Sequence, residues 1–127
     1  MKGLLIKTPH IEKIIEGKKT WELRGSQSKN LNTTIGLIRS TSGLVVGTCK
    51  LAKVHGPLTR ADLEKNVSKH CLDVNGIEDF LGRYKKCYAW ELTEVSKLKT
   101  TVPYKHPNGA VIWVNLEDSV TKQIEQQ

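Results

Sequence analysis

The stretch Gly-Lys-Lys-Thr-Trp-Glu-Leu-Arg, residues 17–24, joins the end of a helix to the start of a strand. Gly17 is suited to end the helix, because glycine adopts the left-handed backbone of a C-terminal cap at little cost. From there the residues alternate, so that Trp21 and Leu23 share one face of a strand and polar residues occupy the other. This segment therefore predicts a strand with one buried face and one face of charged groups.

Glu22 and Arg24 carry opposite charges on the polar face of this strand. One interpretation is a solvated strand edge that holds an ion pair. The other is a polar site, in which Arg24 binds a phosphate or carbonyl oxygen and Glu22 accepts a hydrogen bond from the amine of a nucleobase. Lys19 belongs to the second interpretation as a third charged group of the site. A neighbouring arginine would lower the pKa of Lys19, and a nearby carboxylate would raise it.

The residues before this stretch predict a short strand and then a helix. Residues 3–7 are a short apolar run. Thr8 is a suitable N-cap, and Pro9 suits the first helical position, where a missing N–H does no harm. The buried face of the helix is marked by isoleucines at helical spacing, namely Ile11, Ile14 and Ile15.

Alternating patterns and turn residues predict the remaining elements. The expected strands are residues 33–40, 44–54, 88–95 and 110–114. Thr59 is expected to cap a short helix, and residues 77–84 are expected to form another. Gly47 predicts a bulge inside its strand. The expected turns are residues 75–76, 102–104 and 107–109.

Length and composition predict a single domain with a core of its own. The chain has 127 residues and a net charge of +7, from 20 lysines and arginines against 13 acidic residues. An excess of positive charge favours polyanionic partners through attraction and counterion release. RNA or a nucleotide is therefore the expected partner and DNA is a further option, while charge that serves only solubility is the alternative.

The cysteines and the hydropathy pattern exclude several classes of protein. Cys49, Cys71 and Cys87 are widely spaced and form no C-x-x-C pair, so neither a metal site nor a cofactor is expected. These cysteines are expected to be inert thiols, and the expected location of the protein is the reducing cytoplasm. No run approaches the ~20 apolar residues that span a bilayer, so no membrane role is expected.

The loop of residues 39–43, Arg-Ser-Thr-Ser-Gly, combines one cation, three hydroxyls and a glycine. Hydroxyls and backbone N–H groups in such a loop can hold a phosphate or the edge of a base. Arg39, Ser40, Thr41 and Ser42 are therefore candidate ligand-binding residues. An ordinary hairpin turn explains the same composition.

The opening stretch resembles the hallmark Gly-x-Lys-x-x-Glu-x-Arg of the ASCH-domain family, part of the PUA-like superfamily. Gly17, Lys19, Glu22 and Arg24 stand at its fixed positions. The Thr-Pro-His opening of the preceding helix, the aromatic segment 88–95 and the segment 109–113 are similar to further parts of the family pattern. The resemblance covers about residues 3–116.

This resemblance implies an α+β fold, a small mixed PUA-like β-barrel with short flanking helices. The expected ASCH domain is residues 1–116, and residues 117–127 are expected to be a polar tail or a frayed helix. The family is associated with RNA. The resemblance thus implies a basic cleft that binds RNA or a nucleotide-like ligand, and it leaves enzyme activity open.

Two branches of the family suggest catalytic alternatives. One branch consists of amidohydrolases of acetylcytidine, which this chain resembles at Lys19. Their threonine nucleophile stands where this chain has Glu22, with Thr20 two residues earlier, and Asp73 is the nearest candidate for their later glutamate. This alternative makes Lys19, Thr20 and Glu22 the candidate catalytic residues.

The other branch resembles ribonucleases of single-stranded RNA. Lys19, Arg24, Arg39 and Lys53 would then hold phosphates, and Glu22 or His10 would move the proton of a 2′-hydroxyl. A solvent-facing position in the first helical turn is the other interpretation of His10.

Aromatic residues offer a stacking surface for bases, although most are expected in the core. Trp90 is the aromatic residue expected to be partly exposed near the cleft.

Overall fold

The computed structural model describes residues 1–127 and contains six strands and five short helices. The strands are β1 (Lys2–Ile6), β2 (Trp21–Arg24), β3 (Thr34–Arg39), β4 (Leu44–His55), β5 (Tyr88–Pro103) and β6 (Trp113–Asn115). The helices are α1 (His10–Ile15), α2 (Arg60–Lys65), α3 (Val67–His70), α4 (Val74–Arg83) and α5 (Asp118–Glu125). None of these helices is long and apolar enough to cross a membrane.

All six strands form one sheet in the order β2-β5-β4-β3-β1-β6. β1 and β3 are parallel, and the other neighbouring pairs are antiparallel. The sheet curls into a half-barrel, so that its two edge strands, β2 and β6, are not paired with each other. This confirms the predicted α+β class, with a small curled mixed sheet and short helices around it.

The alternation predicted for β2 and β5 is present. Trp90 lies in the main core cluster inside the curled sheet, whereas Ala89 packs on the opposite face with Trp21 and Leu23. Period-two alternation places neighbouring residues on opposite faces, so one strand supplies two separate cores. Gly47 lies at a register shift between β4 and β5, as predicted for a bulge, and a Cβ there would lie 2.8 Å from the Ser96 carbonyl oxygen.

β5 extends eight residues beyond the predicted end at residue 95 and includes the Val-Pro of the expected turn 102–104. Val102 is buried and pairs with Val45, while Pro103 is the last residue of the strand and pairs with Leu44. Proline is tolerated at this position because the hydrogen-bond ladder ends there. The turn prediction was therefore wrong for Val102 and Pro103.

The predicted strand 110–114 was also misplaced. The structure has β6 at Trp113–Asn115, and residues 110–112 lie in the preceding loop. Val111 is 78% exposed, so its apolar side chain supplies no core contact that would hold a strand here. This loop instead lies beside the cavities described below.

The helix caps account for two further differences. Asp73 accepts a hydrogen bond from the backbone N–H of Gly76, so α4 begins at Val74 and includes the expected turn at residues 75–76. At α1 the N-cap is Pro9, and the hydroxyl of Thr8 bonds the side chain of Glu12 instead of capping the backbone. The predicted cap at Thr59 is confirmed: its hydroxyl oxygen accepts from the N–H of Asp62, and the Thr59 N–H donates to the Asp62 carboxylate.

The segment 117–127, expected as a polar tail or a frayed helix, contains α5. Val120 and Ile124 are buried, and they pack with Leu116 and Val102 in a second core cluster. Two apolar residues four positions apart lie on one helical face, which explains how a mostly polar segment docks.

Candidate ligand-binding site

The turn after α1 places the side chain of Lys19 in the protein interior. Gly17 adopts a left-handed backbone (φ +81°), and the N–H groups of Lys18 and Lys19 both donate to the carbonyl oxygen of Lys13. These bonds close the end of α1 tightly and turn the chain toward β2. The side chain of Lys19 is only 2% exposed, whereas that of Lys18 is 72% exposed.

Lys19, Glu22 and Arg24 form a row of charges, called here the charged row, in which the first two are buried and Arg24 is half-buried. Lys19 Nζ lies 3.6 Å from Glu22 Oε1, and Glu22 Oε2 accepts from Arg24 Nη2 at 2.8 Å. Lys19 Nζ also donates to the backbone carbonyl oxygen of His70 at 2.7 Å. One carboxylate thus lies between two cations in a poorly hydrated place, where such interactions are stronger than in water.

Arg24 links the edge strand β2 to β1. Its Nη2 also donates to the carbonyl oxygen of Leu5 in β1 at 2.9 Å. The guanidinium lies 5.5 Å from the ring centre of Trp90, a cation–π contact. The edge strand β2 is therefore tied to β1 by a side chain, although the two strands share no backbone ladder.

Trp90 supports this site from below instead of lining it. It is 1% exposed, its Nε1 donates to the carbonyl oxygen of Ser26 at 2.9 Å, and its ring stacks on Trp113 at 5.8 Å. The expectation of a partly exposed Trp90 was wrong. Because the indole N–H has its hydrogen-bond partner inside the protein, the side chain can be buried without an unpaired donor.

The charged row opens into a cavity of about 390 Å³, called here the charged cavity. Its polar and charged lining residues are Lys7, His10, Lys19, Glu22, Arg24, Ser40, Asp79 and Arg83. Leu5, Leu23, Leu72, Phe80 and Val111 supply apolar surface, and Tyr84 contributes a ring with a hydroxyl. Polar and charged groups thus outnumber the apolar residues in this lining, so the cavity suits a polar ligand more than an apolar one.

His10 lies in this cavity with one nitrogen unpaired. Its Nδ1 is buried and has no hydrogen-bond partner. Burial lowers the pKa of His10, and the nearby Lys19 lowers it further, against the opposing effect of Glu22. The neutral form of the imidazole is therefore favoured, and in that form one ring nitrogen is a hydrogen-bond acceptor.

Burial also lowers the pKa of Lys19, and Glu22 opposes this effect. The ammonium keeps a carbonyl partner and a carboxylate within reach, so its role in this geometry is to hold a charge and donate hydrogen bonds. The structure contains no group of three or more His, Cys, Asp or Glu side chains that could hold a metal ion.

A second cavity of about 1050 Å³, called here the adjoining cavity, lies beside the first. The predicted loop residues Ser40, Thr41 and Ser42 line it. Ser42 Oγ donates to the carbonyl oxygen of Arg39 at 2.6 Å and accepts from the N–H of Leu44 at 3.0 Å, so it also closes the hairpin turn.

Several of the predicted residues lie outside both cavities. Arg39 Nε faces Glu12 at 3.7 Å, and Lys53 is exposed on β4. Thr20 is exposed, and its backbone bonds Lys69 and Leu92. The structure therefore does not bring Arg39, Lys53 or Thr20 to the charged row.

The pair His70 and Cys71 provides no activated nucleophile. The Nε2 of His70 bonds the carbonyl oxygen of Leu63 at 2.6 Å, and its Nδ1 accepts from the N–H of Leu72 at 3.0 Å. Both ring nitrogens are thus occupied by the backbone. Burial raises the pKa of the Cys49 thiol to about 12 and that of Cys87 to about 11, as expected for inert thiols.

Sequence reasoning missed the contribution of α4, which lines the charged cavity with Asp79, Phe80 and Arg83, and of Tyr84, which directly follows the helix. The available signal was the helix itself, whose last turns carry aromatic and charged residues together. A helix distant in sequence could be assigned to this site only after its packing was known.

Comparisons with known proteins agree with this architecture. A family model described as ASCH domain matches residues 4–102. The crystal structure of ASCH from Zymomonas mobilis is similar, with a TM-score of 0.78 and 14% identity over 98% of this chain and 93% of that one. No curated protein matches the sequence.

Two variants of the Zymomonas mobilis protein are also similar, each with a TM-score of 0.76 and 16% identity over 98% of this chain. One carries a serine-to-alanine change and the other a tyrosine-to-phenylalanine change, and 94% and 96% of their chains are covered. At these identities the likeness concerns the fold.

Proposed function

The chain belongs to the ASCH domain family, and on this premise we propose that its charged cavity binds a base of single-stranded RNA or a nucleotide-like ligand. The observation that carries the proposal is the charged row with His10 in the same cavity, where the Nδ1 of His10 is unpaired. Buried polar groups normally have partners, so the unpaired nitrogen sets His10 apart among the residues that line this cavity.

The charged row has hydrogen-bonding capacity left for a ligand. The structure assigns two bonds to Arg24, both through Nη2, which leaves the other donors of the guanidinium. Each carboxylate oxygen of Glu22 has more than one lone pair. Donors and acceptors side by side are what the edge of an unpaired nucleobase requires.

Charge supports a polyanionic ligand. Lys7, Arg24 and Arg83 line the charged cavity together with buried Lys19, against Glu22 and Asp79. The whole chain carries a net charge of +7. Attraction of this kind raises affinity for phosphates without reading sequence, so recognition of the base falls to the charged row.

The test is titration of the protein with single-stranded RNA, double-stranded RNA and single-stranded DNA at several salt concentrations. Single-stranded RNA should bind most tightly, and affinity should fall as salt rises. Glu22→Gln should weaken binding about tenfold, as expected for the loss of a good base contact of ~1–3 kcal/mol. Exposed Glu94→Gln is the matched control and should bind as wild type.

Absence of binding to any nucleic acid at low salt would refute the proposal. Equal binding by wild type and Glu22→Gln would place the ligand elsewhere on the surface.

His10 supports cleavage of single-stranded RNA as a second candidate function. A neutral imidazole with an unpaired nitrogen can accept the proton of a 2′-hydroxyl, while Lys19 and Arg24 stabilise the charged phosphate. The test is incubation of purified protein with fluorescently labelled single-stranded RNA. His10→Ala should abolish cleavage and His55→Ala, at a half-buried histidine outside both cavities, should not. Unchanged cleavage by His10→Ala would reject this role.

The geometry offers less to the amidohydrolase alternative. Thr20 is exposed and outside the cavities, and Asp73 caps α4, where it accepts from Gly76. Acyl transfer needs the nucleophile and its activating groups together, and neither Thr20 nor Asp73 lines the charged cavity with Lys19. Release of acetate from acetylcytidine by wild type would favour this activity after all.

A further inference from the structure

We propose that the adjoining cavity binds the next nucleotide of the same RNA strand, so that the full site takes at least a dinucleotide. This inference rests on the proposed function, because it starts from a base in the charged cavity. It adds a second subsite, with its own residues and its own test.

The two cavities are parts of one groove. Six residues line both of them: Leu5, Lys7, Arg24, Ser40, Tyr84 and Val111. This shared region is called here the waist. It contains two cations, Lys7 and Arg24, and the hydroxyls of Ser40 and Tyr84, which are groups suited to a phosphate. Leu5 is buried, whereas Val111 and Tyr84 are exposed at its rim.

The chemistry changes from one side of the waist to the other. The charged cavity has ionised and polar groups that suit the edge of a base. The adjoining cavity has instead the hydroxyls of Ser26, Thr41 and Ser42 and the rings of Tyr104 and His106. Its charged lining is limited to Lys7 and Arg24, both of which belong to the waist. Recognition there would use stacking and hydroxyl contacts, which tolerate any base.

Tyr104 and His106 are held in place by their own contacts. Tyr104 Oη and His106 Nδ1 are 2.9 Å apart, and His106 Nε2 bonds the carbonyl oxygen of Ala110 at 3.0 Å. The two rings meet edge to face at 5.9 Å. Because these contacts fix the rings before a ligand arrives, less ordering is needed when a base stacks on them.

Tyr84 is a fixed ring at the waist. Its ring lies 4.6 Å from that of Phe80, and a Cβ at Gly25 would approach its Cδ1 to 2.5 Å. The absence of a side chain at Gly25 therefore allows the ring to lie against the backbone. The side facing the groove is open, since Tyr84 is 45% exposed.

The groove thus presents base-reading groups, then phosphate-binding groups, then stacking rings. This order matches base, phosphate and base along a strand. A duplex keeps its bases stacked and paired, so only a single strand can place two neighbouring bases in two pockets.

The experiment measures affinities for the four nucleoside 5′-monophosphates and the four matching homodinucleotides of RNA by calorimetry. A monophosphate ester carries about two negative charges and a linking diester about one. Tighter binding of the dinucleotide therefore cannot come from charge. The expected gain is about tenfold or more, the effect of one stacked base.

Tyr104→Leu and His106→Ala should weaken dinucleotide binding about tenfold and affect the monophosphates far less. Thermal unfolding of both variants checks that the fold is retained, and His106 is exposed. Lys53→Ala, at an exposed cation away from the groove, should bind both ligands as wild type.

Equal affinity for monophosphates and dinucleotides would overturn the second subsite and leave the proposed function standing. Unchanged dinucleotide binding in both folded variants would overturn it as well. Binding of neither ligand class would refute the proposed function together with this inference.

Discussion

Lys19 Nζ donates a hydrogen bond to the backbone carbonyl oxygen of His70 at 2.7 Å, across 51 positions of sequence. The bond joins the start of the β2 segment to the end of α3. It satisfies both a buried ammonium and a buried carbonyl group, each of which would be costly to leave unpaired.

Lys19→Met should destabilise the protein by about 1–3 kcal/mol, because the apolar stem is kept while the His70 carbonyl loses its donor. Lys18→Met is the matched control at a 72% exposed side chain, and its effect should stay within about 0.5 kcal/mol. Urea unfolding measures both. Equal stability of the two variants would show that the buried bond contributes nothing net.

Arg24→Lys should weaken both the fold and ligand binding. The guanidinium contacts Leu5, Glu22 and the ring of Trp90 together, and a single ammonium cannot match that planar geometry. The expected loss of stability is about 1–2 kcal/mol.

Arg60→Lys is the control for this substitution, at an exposed pair with Glu78, and should leave stability close to that of wild type. Unfolding followed by tryptophan fluorescence compares the two variants. If Arg24→Lys loses no more stability than Arg60→Lys, the hydrogen bond from Arg24 in β2 to Leu5 in β1 is not important for stability.

Gly25→Ala should reduce affinity for a dinucleotide without unfolding the protein. The added methyl group would meet Tyr84 at 2.5 Å and displace its half-exposed ring. Calorimetric titration and a melting curve separate the two effects. Full affinity in this variant would exclude Tyr84 from the binding surface.

Gly82→Ala and Gly17→Ala should have opposite effects on stability. Gly82 lies in α4 with open space at its Cβ, so alanine should stabilise by about 0.5–1 kcal/mol. Gly17 has a φ of +81°, so alanine there should destabilise by about 1 kcal/mol. Melting temperatures provide the comparison, and a stabilising Gly17→Ala would contradict the left-handed cap.

Stability should fall as the pH drops below about 6.5, the ordinary pKa of histidine. Burial lowers the pKa of both His10 and His70. Below that pH the unfolded chain binds protons that the native protein resists, so the free energy of unfolding decreases. Above it both states are neutral, and the full stability is present.

Urea unfolding between pH 7.5 and 5.5 measures this dependence. His10→Asn should make the decline shallower, because one of the two linked groups is removed. His106→Asn, at an exposed position, is the control and should retain the slope of wild type. An unchanged slope in His10→Asn would contradict the lowered pKa of His10.

Local signals determined much of the fold. The alternation around Trp21 predicted the two faces of β2, Gly17 predicted the end of α1, and Thr59 predicted the cap of α2. Each depends on the backbone preferences of a few adjacent residues, and at these positions the local preference agrees with the whole fold. The sequence by itself also brought Lys19, Glu22 and Arg24 into one short segment.

Tertiary structure alone decided what surrounds that segment. The partner of Lys19 is a carbonyl group without a side-chain signature, and the wall opposite it comes from α4. Trp90 is a core residue. Its hydrogen-bond partner Ser26 lies 64 positions away, so the sequence around Trp90 did not reveal that the indole N–H is satisfied inside the protein. Such contacts depend on how the sheet curls and where the helices dock, which are outcomes of the packing of the whole chain.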